Sequence, residues 1–217
     1  MLLYYGWSSS IQENIFFAHV LSKFGYQVYI PELPFHGERG KPGSEEVGKW
    51  EAIYTSIQES RHIVDHIKKI PSVDTDNLGL IGISMGGYIS SHIFVHEKSF
   101  RTLININGSS AWQKSERIAN LFSGNTKDKY ETFIKESDPI NFIKDMYPRS
   151  ILLLHGKEDK VVPVYSQRAF YQKASEYYAD KNNKVELKEF PKLNHALSLG
   201  MMEEVIEWLN LNVSSEK

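Results

Sequence analysis

Short apolar runs alternate with longer amphipathic stretches along the whole chain, and this alternation restricts the possible folds more than any other feature. The runs that have the length and apolar content of buried strands cover residues 2–5, 26–30, 78–83, 103–106, 151–154 and 185–190. Amphipathic helical patterns and short connections lie between them. Such an order favours a mostly parallel sheet with helices on both faces. We therefore predict a doubly wound α/β fold whose ligand site lies at the carboxyl ends of the strands.

The first helix illustrates how local signals support this interpretation. Ser10 and Glu13 have the spacing of a capping box, in which each side chain satisfies a free amide of the first turn. Gly25 is a suitable helix stop. The apolar stripe between these signals consists of Phe17, Val20, Leu21 and Phe24.

The composition is that of an ordinary globular chain. Its 217 residues suit one domain over residues 1–217, with 41% hydrophobic and 24% charged residues. A net charge of −2 gives no reason to expect nucleic acid or an anionic membrane as a partner. The absence of cysteine excludes disulfides, thiolate metal sites and cysteine catalysis. Because no apolar run has membrane-spanning length and no signal peptide is evident, we expect a cytoplasmic protein.

One serine is bracketed by glycines between a predicted strand and a predicted helix. The segment Gly82-Ile83-Ser84-Met85-Gly86 closes the apolar run at 78–83, and a helical pattern follows it. A tight strand-to-helix turn of this kind raises a serine hydroxyl above the sheet, and the flanking glycines avoid side-chain clashes. The alternative is a glycine-softened turn in which Ser84 only caps the helix. The context favours a nucleophile.

Two polar segments follow later strands, and with the serine motif they resemble the α/β-hydrolase family. The segments are HGKEDKVVP at residues 155–163 and PKLNHAL at residues 191–197. Family members present an acid after a later strand and a histidine after the last strand. The resemblance therefore implies a triad of Ser84 as nucleophile, Asp159 as acid and His195 as base. Glu158 is the alternative acid, and His155 and His36 are expected to pack or hydrogen-bond around the site.

The resemblance extends over nearly the whole chain and implies an α/β-hydrolase fold that lacks the usual N-terminal hairpin, with about six parallel strands. It also implies two backbone donors for an oxyanion, the N–H groups of Met85 and Trp7. The family usually has His-Gly before the second donor, whereas this chain has Tyr5-Gly6. Since the donor is a backbone amide, the difference does not exclude the oxyanion hole.

The segment at 108–150 is too long for a simple crossover and contains several aromatic residues among its charges. In related hydrolases this position carries a small helical lid or cap, which we expect here; the alternative is a crossover helix whose aromatic residues pack on the sheet. An apolar underside would favour an acyl chain. We predict that Trp112 on this segment and His36 on the opposite rim contact the substrate.

The expected function is that of a cofactor-independent serine hydrolase which cleaves carboxylic esters of a small-molecule acyl substrate through an acyl-enzyme. The chain resembles compact bacterial esterases and the peptidase-like and dienelactone-hydrolase-like branches of the family. The alternatives are a thioesterase or peptidase with the same triad, and a non-catalytic binding protein with the same fold. Two histidine pairs have the i, i+4 spacing of zinc ligands, but neither forms H-E-x-x-H, and no metal is expected. The sequence does not indicate an oligomeric state.

Overall fold

One parallel sheet of five strands organises the computed structural model, which describes residues 1–42, 48–119, 126–179 and 184–213. Its strands are β1 Leu2–Tyr4, β2 Leu78–Ile83, β3 Phe100–Ile106, β4 Ser150–Gly156 and β5 Val185–Phe190. They lie side by side in chain order, and every neighbouring pair is parallel. β2 and β4 are almost entirely buried, as expected for parallel strands covered on both faces.

Helices fill the connections between the strands. The α-helices are α1 Ile11–Lys23, α2 Lys49–Lys68, α3 Met85–His96, α4 Trp112–Ala119, α5 Thr126–Ser137, α6 Ile143–Met146, α7 Val164–Tyr177 and α8 Leu199–Asn212. Two 3₁₀ turns cover Gly37–Arg39 and Pro139–Asn141. No helix within the described ranges combines the length and apolar content needed to cross a membrane.

The sixth predicted strand, at 26–30, is reduced to one bridge, so the prediction of about six strands is corrected to five for the described part of the chain. Tyr29 pairs with Leu2, and its N–H donates to Met1 O at 2.9 Å. Two features limit this pairing. The neighbouring β1 has only three residues, and Pro31 follows without an N–H to donate.

This bridge still fixes the position of the functional site. Leu2 pairs with Tyr29 on one side and with Leu80 of β2 on the other. The chain therefore runs outward from β1 to Tyr29 and then returns to the other side of β1 to form β2. Ligands of open α/β sheets bind outside the carboxyl ends of the strands at such a reversal. Those ends, after β1 and β2, lead into Trp7 and Ser84.

Helices cover both faces of the sheet, as predicted. Thr102 and Asn105 of β3 are three residues apart, so their side chains point to opposite faces. Thr102 accepts a hydrogen bond from Trp208 Nε1 of α8 at 2.8 Å. Asn105 Nδ2 donates to the Gly87 carbonyl of α3 at 3.1 Å. These contacts place α8 on one face and α3 on the other.

The predicted capping box of α1 is confirmed, because Ser10 and Glu13 each receive the other's backbone N–H. The apolar stripe is confirmed in part. Phe17 and Leu21 are buried, whereas Phe24 is 51% exposed. The helix ends at Lys23, so Phe24 lies at the cap and turns away from the core.

A single guanidinium closes the C-terminal end of α3. The side chain of Arg149 donates to four backbone carbonyl groups, those of Phe94 at 2.5 Å, Glu97 at 3.1 Å, Phe100 at 3.3 Å and Asp145 at 2.9 Å. Burial lowers the pKa of Arg149 to about 10, which leaves the group charged at neutral pH. A cation at this end of a helix also interacts favourably with the helix dipole. Arg149 thus anchors the chain before β4 to the helix that follows Ser84.

We expect Arg149→Leu to lower the free energy of unfolding by about 3 kcal/mol, because it leaves several half-buried carbonyl groups without a donor. Urea denaturation measures the change. Lys98→Ala is the matched control, since Lys98 also donates to the Val95 and Asp145 carbonyl groups but is exposed. Its loss should cost less than about 1 kcal/mol. Equal effects of the two variants would contradict the role given to Arg149.

Candidate active site

Ser84 occupies a strained turn between β2 and α3. Its backbone angles, φ 55° and ψ −118°, lie in a region that residues with a side chain rarely adopt. The surrounding backbone holds it there, because Ser84 N donates to Ile106 O at 2.8 Å and Ser84 O accepts from Gly87 N at 2.9 Å. The turn presents the hydroxyl at the carboxyl edge of the sheet.

Two glycines of the motif are required by close approach. A Cβ atom on Gly82 would lie 1.9 Å from Ser90 Oγ, and one on Gly86 would lie 1.9 Å from Tyr4 O. Real Cβ atoms do not approach other heavy atoms so closely, and the Tyr4 contact is with rigid backbone. The spacing of glycines around Ser84 therefore reflects how tightly β1, β2 and α3 pack at this turn.

The structure brings together the three side chains predicted for the triad. His195 Nε2 lies 2.8 Å from Ser84 Oγ, and His195 Nδ1 lies 2.7 Å from Asp159 Oδ2. Asp159 follows β4, and His195 lies between β5 and α8. We refer to Ser84, Asp159 and His195 as the triad.

The carboxylate of Asp159 is fully buried and surrounded by donors. Its Oδ1 accepts from the N–H groups of Val161 at 2.8 Å and Val162 at 2.9 Å, and its Oδ2 faces His195 and, at 3.3 Å, His155 Nε2. Burial acts to raise the pKa of Asp159, but the donors outweigh it, with His155 and His195 contributing most, and the pKa is held below its usual range. The group is therefore an anion at neutral pH.

His155 forms the floor beneath this carboxylate. Its Nε2 lies 2.8 Å from Val162 O, and because a carbonyl oxygen only accepts, Nε2 must carry the hydrogen. The same nitrogen lies 3.3 Å from Asp159 Oδ2. Its Nδ1 has no partner among the residues that the structure describes. This agrees with the prediction that His155 hydrogen-bonds beneath the site.

The lowered pKa of Asp159 predicts how the free energy of unfolding depends on pH. The unfolded chain binds a proton at this group near the ordinary value of about 3.9, whereas the folded protein binds it only at lower pH. The ionised carboxylate therefore stabilises the fold above that value, and the stabilisation is lost as the pH falls below it. Between about pH 5 and pH 3, the free energy of unfolding of the unmodified protein should fall more steeply than that of Asp159→Asn. Urea denaturation across this range measures both slopes, and parallel slopes would contradict the prediction.

The two predicted oxyanion donors are the N–H groups of Met85 and Trp7. Met85 begins α3, so its N–H is one of the amides at the helix start that have no partner within the helix. The loop after β1 lies against the serine, since a Cβ atom on Gly6 would lie 3.3 Å from Ser84 Cβ. Trp7 follows in that loop. Its N–H and that of Met85 thus come from segments that meet at Ser84, and their role stays a prediction.

His36 is buried behind the loop that carries Trp7. Its ring nitrogens lie 2.8 Å from Pro34 O and 2.5 Å from Trp7 O, and its ring packs edge-on against the rings of Tyr5 and Trp7. Only 1% of His36 is exposed. The structure thus gives His36 a contact with the second predicted oxyanion segment, and its contact with substrate stays a prediction.

Trp112 is also buried, at the centre of an aromatic cluster between the segment at 108–150 and the body of the protein. Its ring packs on those of Trp50, Tyr88, His92 and Phe133, with centroid separations of 5.3, 6.5, 5.7 and 5.7 Å. None of its surface is exposed in this structure. Trp112 therefore attaches the segment to α2 and α3, and a substrate contact by it stays a prediction.

The segment predicted as a lid contains α4, α5 and α6, and its residues 120–125 lie outside the described ranges. The buried carboxylate of Asp138 fastens it, because Asp138 accepts from the N–H groups of Trp112 at 2.9 Å and Gln113 at 3.0 Å. These amides begin α4, which otherwise offers them no partner. The sequence reasoning did not identify Asp138.

Asn107 is a second buried polar residue that the sequence reasoning missed as a member of the site. It follows β3 and contacts both Gly156, the last residue of β4, and the loop that carries His195. Its place directly after an apolar run was the available signal, since all three triad residues also follow strands. In the described part of the chain, the structure contains no group of three or more histidine or acidic residues arranged to hold a metal ion.

Comparison with known proteins identifies a family and relatives with similar sequences. The prolyl oligopeptidase family matches residues 16–211 of the chain. A Bacillus subtilis protein named as an esterase, YitV, is 23% identical over 221 residues, which cover 96% of this chain and 87% of the relative. The esterase YjfP of Escherichia coli is 26% identical over 192 residues, covering 83% and 76%.

The fold is also that of solved structures. TT1662 from Thermus thermophilus superposes with a TM-score of 0.81 at 16% identity, over 99% of this chain and 89% of the other. At this level of identity the likeness concerns the fold alone. Together with the family match over most of the sequence, these findings lead to one conclusion: the chain belongs to the prolyl oligopeptidase family and is a serine hydrolase with the α/β-hydrolase fold.

Proposed function

We propose that this serine hydrolase cleaves carboxylic esters of small acyl substrates, through an acyl-enzyme formed on Ser84. The observation that carries the proposal is the continuous chain of hydrogen-bonding groups from Ser84 Oγ through His195 to Asp159, with separations of 2.8 and 2.7 Å. A serine hydroxyl is a poor nucleophile until a neighbouring base removes its proton. In this arrangement the base lies within reach of that proton, and an anion lies behind the base.

The proposed reaction has two halves that use the same groups. His195 Nε2 takes the Ser84 proton as Oγ attacks the ester carbonyl carbon, and then gives that proton to the departing alcohol. Water then attacks the acyl-enzyme, with His195 again as base, and releases the acid and the free serine. Asp159 stays ionised throughout, orients the imidazole through Nδ1–H and stabilises the imidazolium.

Charge develops on the carbonyl oxygen in both halves of the reaction. The N–H groups of Met85 and Trp7 are the proposed donors to this oxyanion. The Met85 donor is supported by its place at the start of α3, where the helix dipole puts partial positive charge beside Ser84. Met85 is also buried. The approach of Gly6 to Ser84 supports the second.

Esters are favoured over other acyl substrates by the relatives. The two curated relatives described above are both named as esterases and match over most of their own length. A peptidase activity is the second candidate, since the family description refers to oligopeptidases. Thioesters would use the same groups. A purely binding role is not retained, because both curated relatives are named as esterases.

A rate profile across acyl donors tests the proposal. Nitrophenyl esters of increasing acyl length are compared with matched thioesters and aminoacyl amides, using kcat/KM for each. We expect the highest kcat/KM within the ester series. A higher value for the aminoacyl amides would favour the peptidase alternative and contradict the proposal, as would a higher value for the thioesters.

A further inference from the structure

Two consecutive residues, Ile106 at the end of β3 and Asn107 after it, contact all three segments that carry the triad. Ile106 O accepts the backbone N–H of Ser84 at 2.8 Å. The next side chain, that of Asn107, uses both of its polar atoms: Oδ1 accepts from Gly156 N at 2.9 Å, and Nδ2 donates to Ala196 O at 2.9 Å. Gly156 opens the loop of the acid, and Ala196 follows the histidine. One point of the fold thus touches the segments of the nucleophile, the acid and the base.

Asn107 is held firmly in this position. It is 2% exposed, and its backbone N–H donates to Leu154 O of β4 at 2.8 Å. Its φ of 49° lies in the left-handed region, which asparagine adopts more readily than most residues. Gly156 is buried, so its N–H would lose its partner if the amide were removed, whereas Ala196 is exposed and its carbonyl group could then bond to water.

The loops of the acid and the base are also joined to each other. Glu158 N donates to Leu193 O at 3.0 Å, and Lys160 N donates to Asn194 Oδ1 at 3.0 Å. These bonds fix the two loops relative to each other. They do not connect either loop to β3, which holds the serine turn. The two bonds of Asn107 make that connection.

We propose, on the basis of the proposed function, that Asn107 is a positioning residue that locks the acid–base pair onto the serine turn. It touches neither the substrate nor the reacting atoms. Its effect passes through the backbone at Gly156 and Ala196, and it keeps His195 Nε2 at hydrogen-bonding distance from Ser84 Oγ. A displacement of about 1 Å at a reacting group can cost about 100-fold in rate.

Asn107→Gly tests this role, because glycine accepts the positive φ and removes both side-chain bonds. We expect kcat for a nitrophenyl ester to fall about 100-fold with KM unchanged, since no substrate contact is lost. The rate at which a fluorophosphonate labels Ser84 should fall in parallel, as labelling requires the same activated hydroxyl.

Asn105→Ala is the matched control. Asn105 lies two residues earlier, on β3, and is buried, but its amide donates to Gly87 O, Ser91 Oγ and Ser110 Oγ, none of them in the loops of the acid or the base. We expect this variant to lose stability and to keep its kcat. If Asn107→Gly does not fold, Asn107→Asp replaces it: the carboxylate keeps an acceptor for Gly156 N and removes the donor to Ala196 O. It should also lower kcat with KM unchanged.

The outcomes separate the two proposals. Suppose that the fluorophosphonate modifies Ser84 of the unmodified protein, and that folded Asn107→Gly is modified at the same rate and has the same kcat. The positioning role is then wrong, and the proposed function stands. An equal loss of kcat in Asn105→Ala would also overturn it, because the effect would then be general to a weakened core. If the unmodified protein does not label on Ser84, the proposed function fails, and the positioning role fails with it.

Discussion

Replacing Ser84 by alanine should lower kcat for ester hydrolysis by about 10⁶-fold, which is the loss measured when the nucleophile or base of a comparable triad is removed. The methyl group of alanine cannot form the acyl-enzyme, so His195 loses the proton it would transfer. Steady-state hydrolysis of a nitrophenyl ester measures kcat, and circular dichroism checks that the fold is unchanged.

The control for this variant is Ser56→Ala. Ser56 is a buried serine of α2, and its Oγ has no hydrogen-bond partner among the described residues. Its replacement should leave kcat unchanged. Activity that survives in Ser84→Ala at more than a small fraction of the normal rate would show that another group is the nucleophile.

Asp159→Asn is expected to lower kcat by up to about 10⁴-fold, by analogy with the serine-protease triad, in which the same change favours the wrong imidazole tautomer. Here Asp159 Oδ2 accepts from His195 Nδ1, and an amide nitrogen in its place would donate instead. The imidazole would then turn its hydrogen toward Ser84 and could not act as base. The same kinetic assay measures the effect.

Glu158→Gln is the matched control, because Glu158 precedes Asp159 in the loop but is exposed. It should retain nearly full activity. If Glu158→Gln were inactive and Asp159→Asn active, the acid would be Glu158 and the assignment made here would be wrong.

The sequence was sufficient to predict the fold class and to select three side chains that the structure brings together. Each of the three follows an apolar run, and parallel strands carry their ends to one edge of the sheet. The sequence also indicated that the glycines around Ser84 avoid side-chain clashes. The structure shows one such close approach, between Tyr4 O and Gly86. The separation of Asp159 from His195 along the chain is therefore no obstacle to their meeting in space.

Features that depend on contacts between distant segments were harder to predict from the sequence. The run at 26–30 has the composition of a strand, but whether it pairs depends on β1, which has only three residues. An aromatic residue such as Trp112 suits both an apolar pocket and a core, so its predicted contact with substrate stays a prediction. Its place in a cluster with Trp50 and Tyr88 depends on how α2 and α3 cross, which no local pattern specifies.

Buried polar residues were the hardest to assign. Asn107 and Asp138 resemble ordinary loop residues in the sequence, yet each joins segments that are distant along the chain. Their side chains bond to backbone N–H and C=O groups. Because every residue has such groups, the sequence does not show which of them will be the partners. Only the folded arrangement distinguishes such residues from polar residues on the surface.

Identification of the residue that a fluorophosphonate modifies is the most direct test of the central claim, that His195 and Asp159 activate Ser84. The protein is labelled in its folded state, digested and analysed by mass spectrometry, in parallel with His195→Ala. We expect one adduct, on Ser84, that is absent from His195→Ala. No adduct, or an adduct on a different residue, would contradict the account.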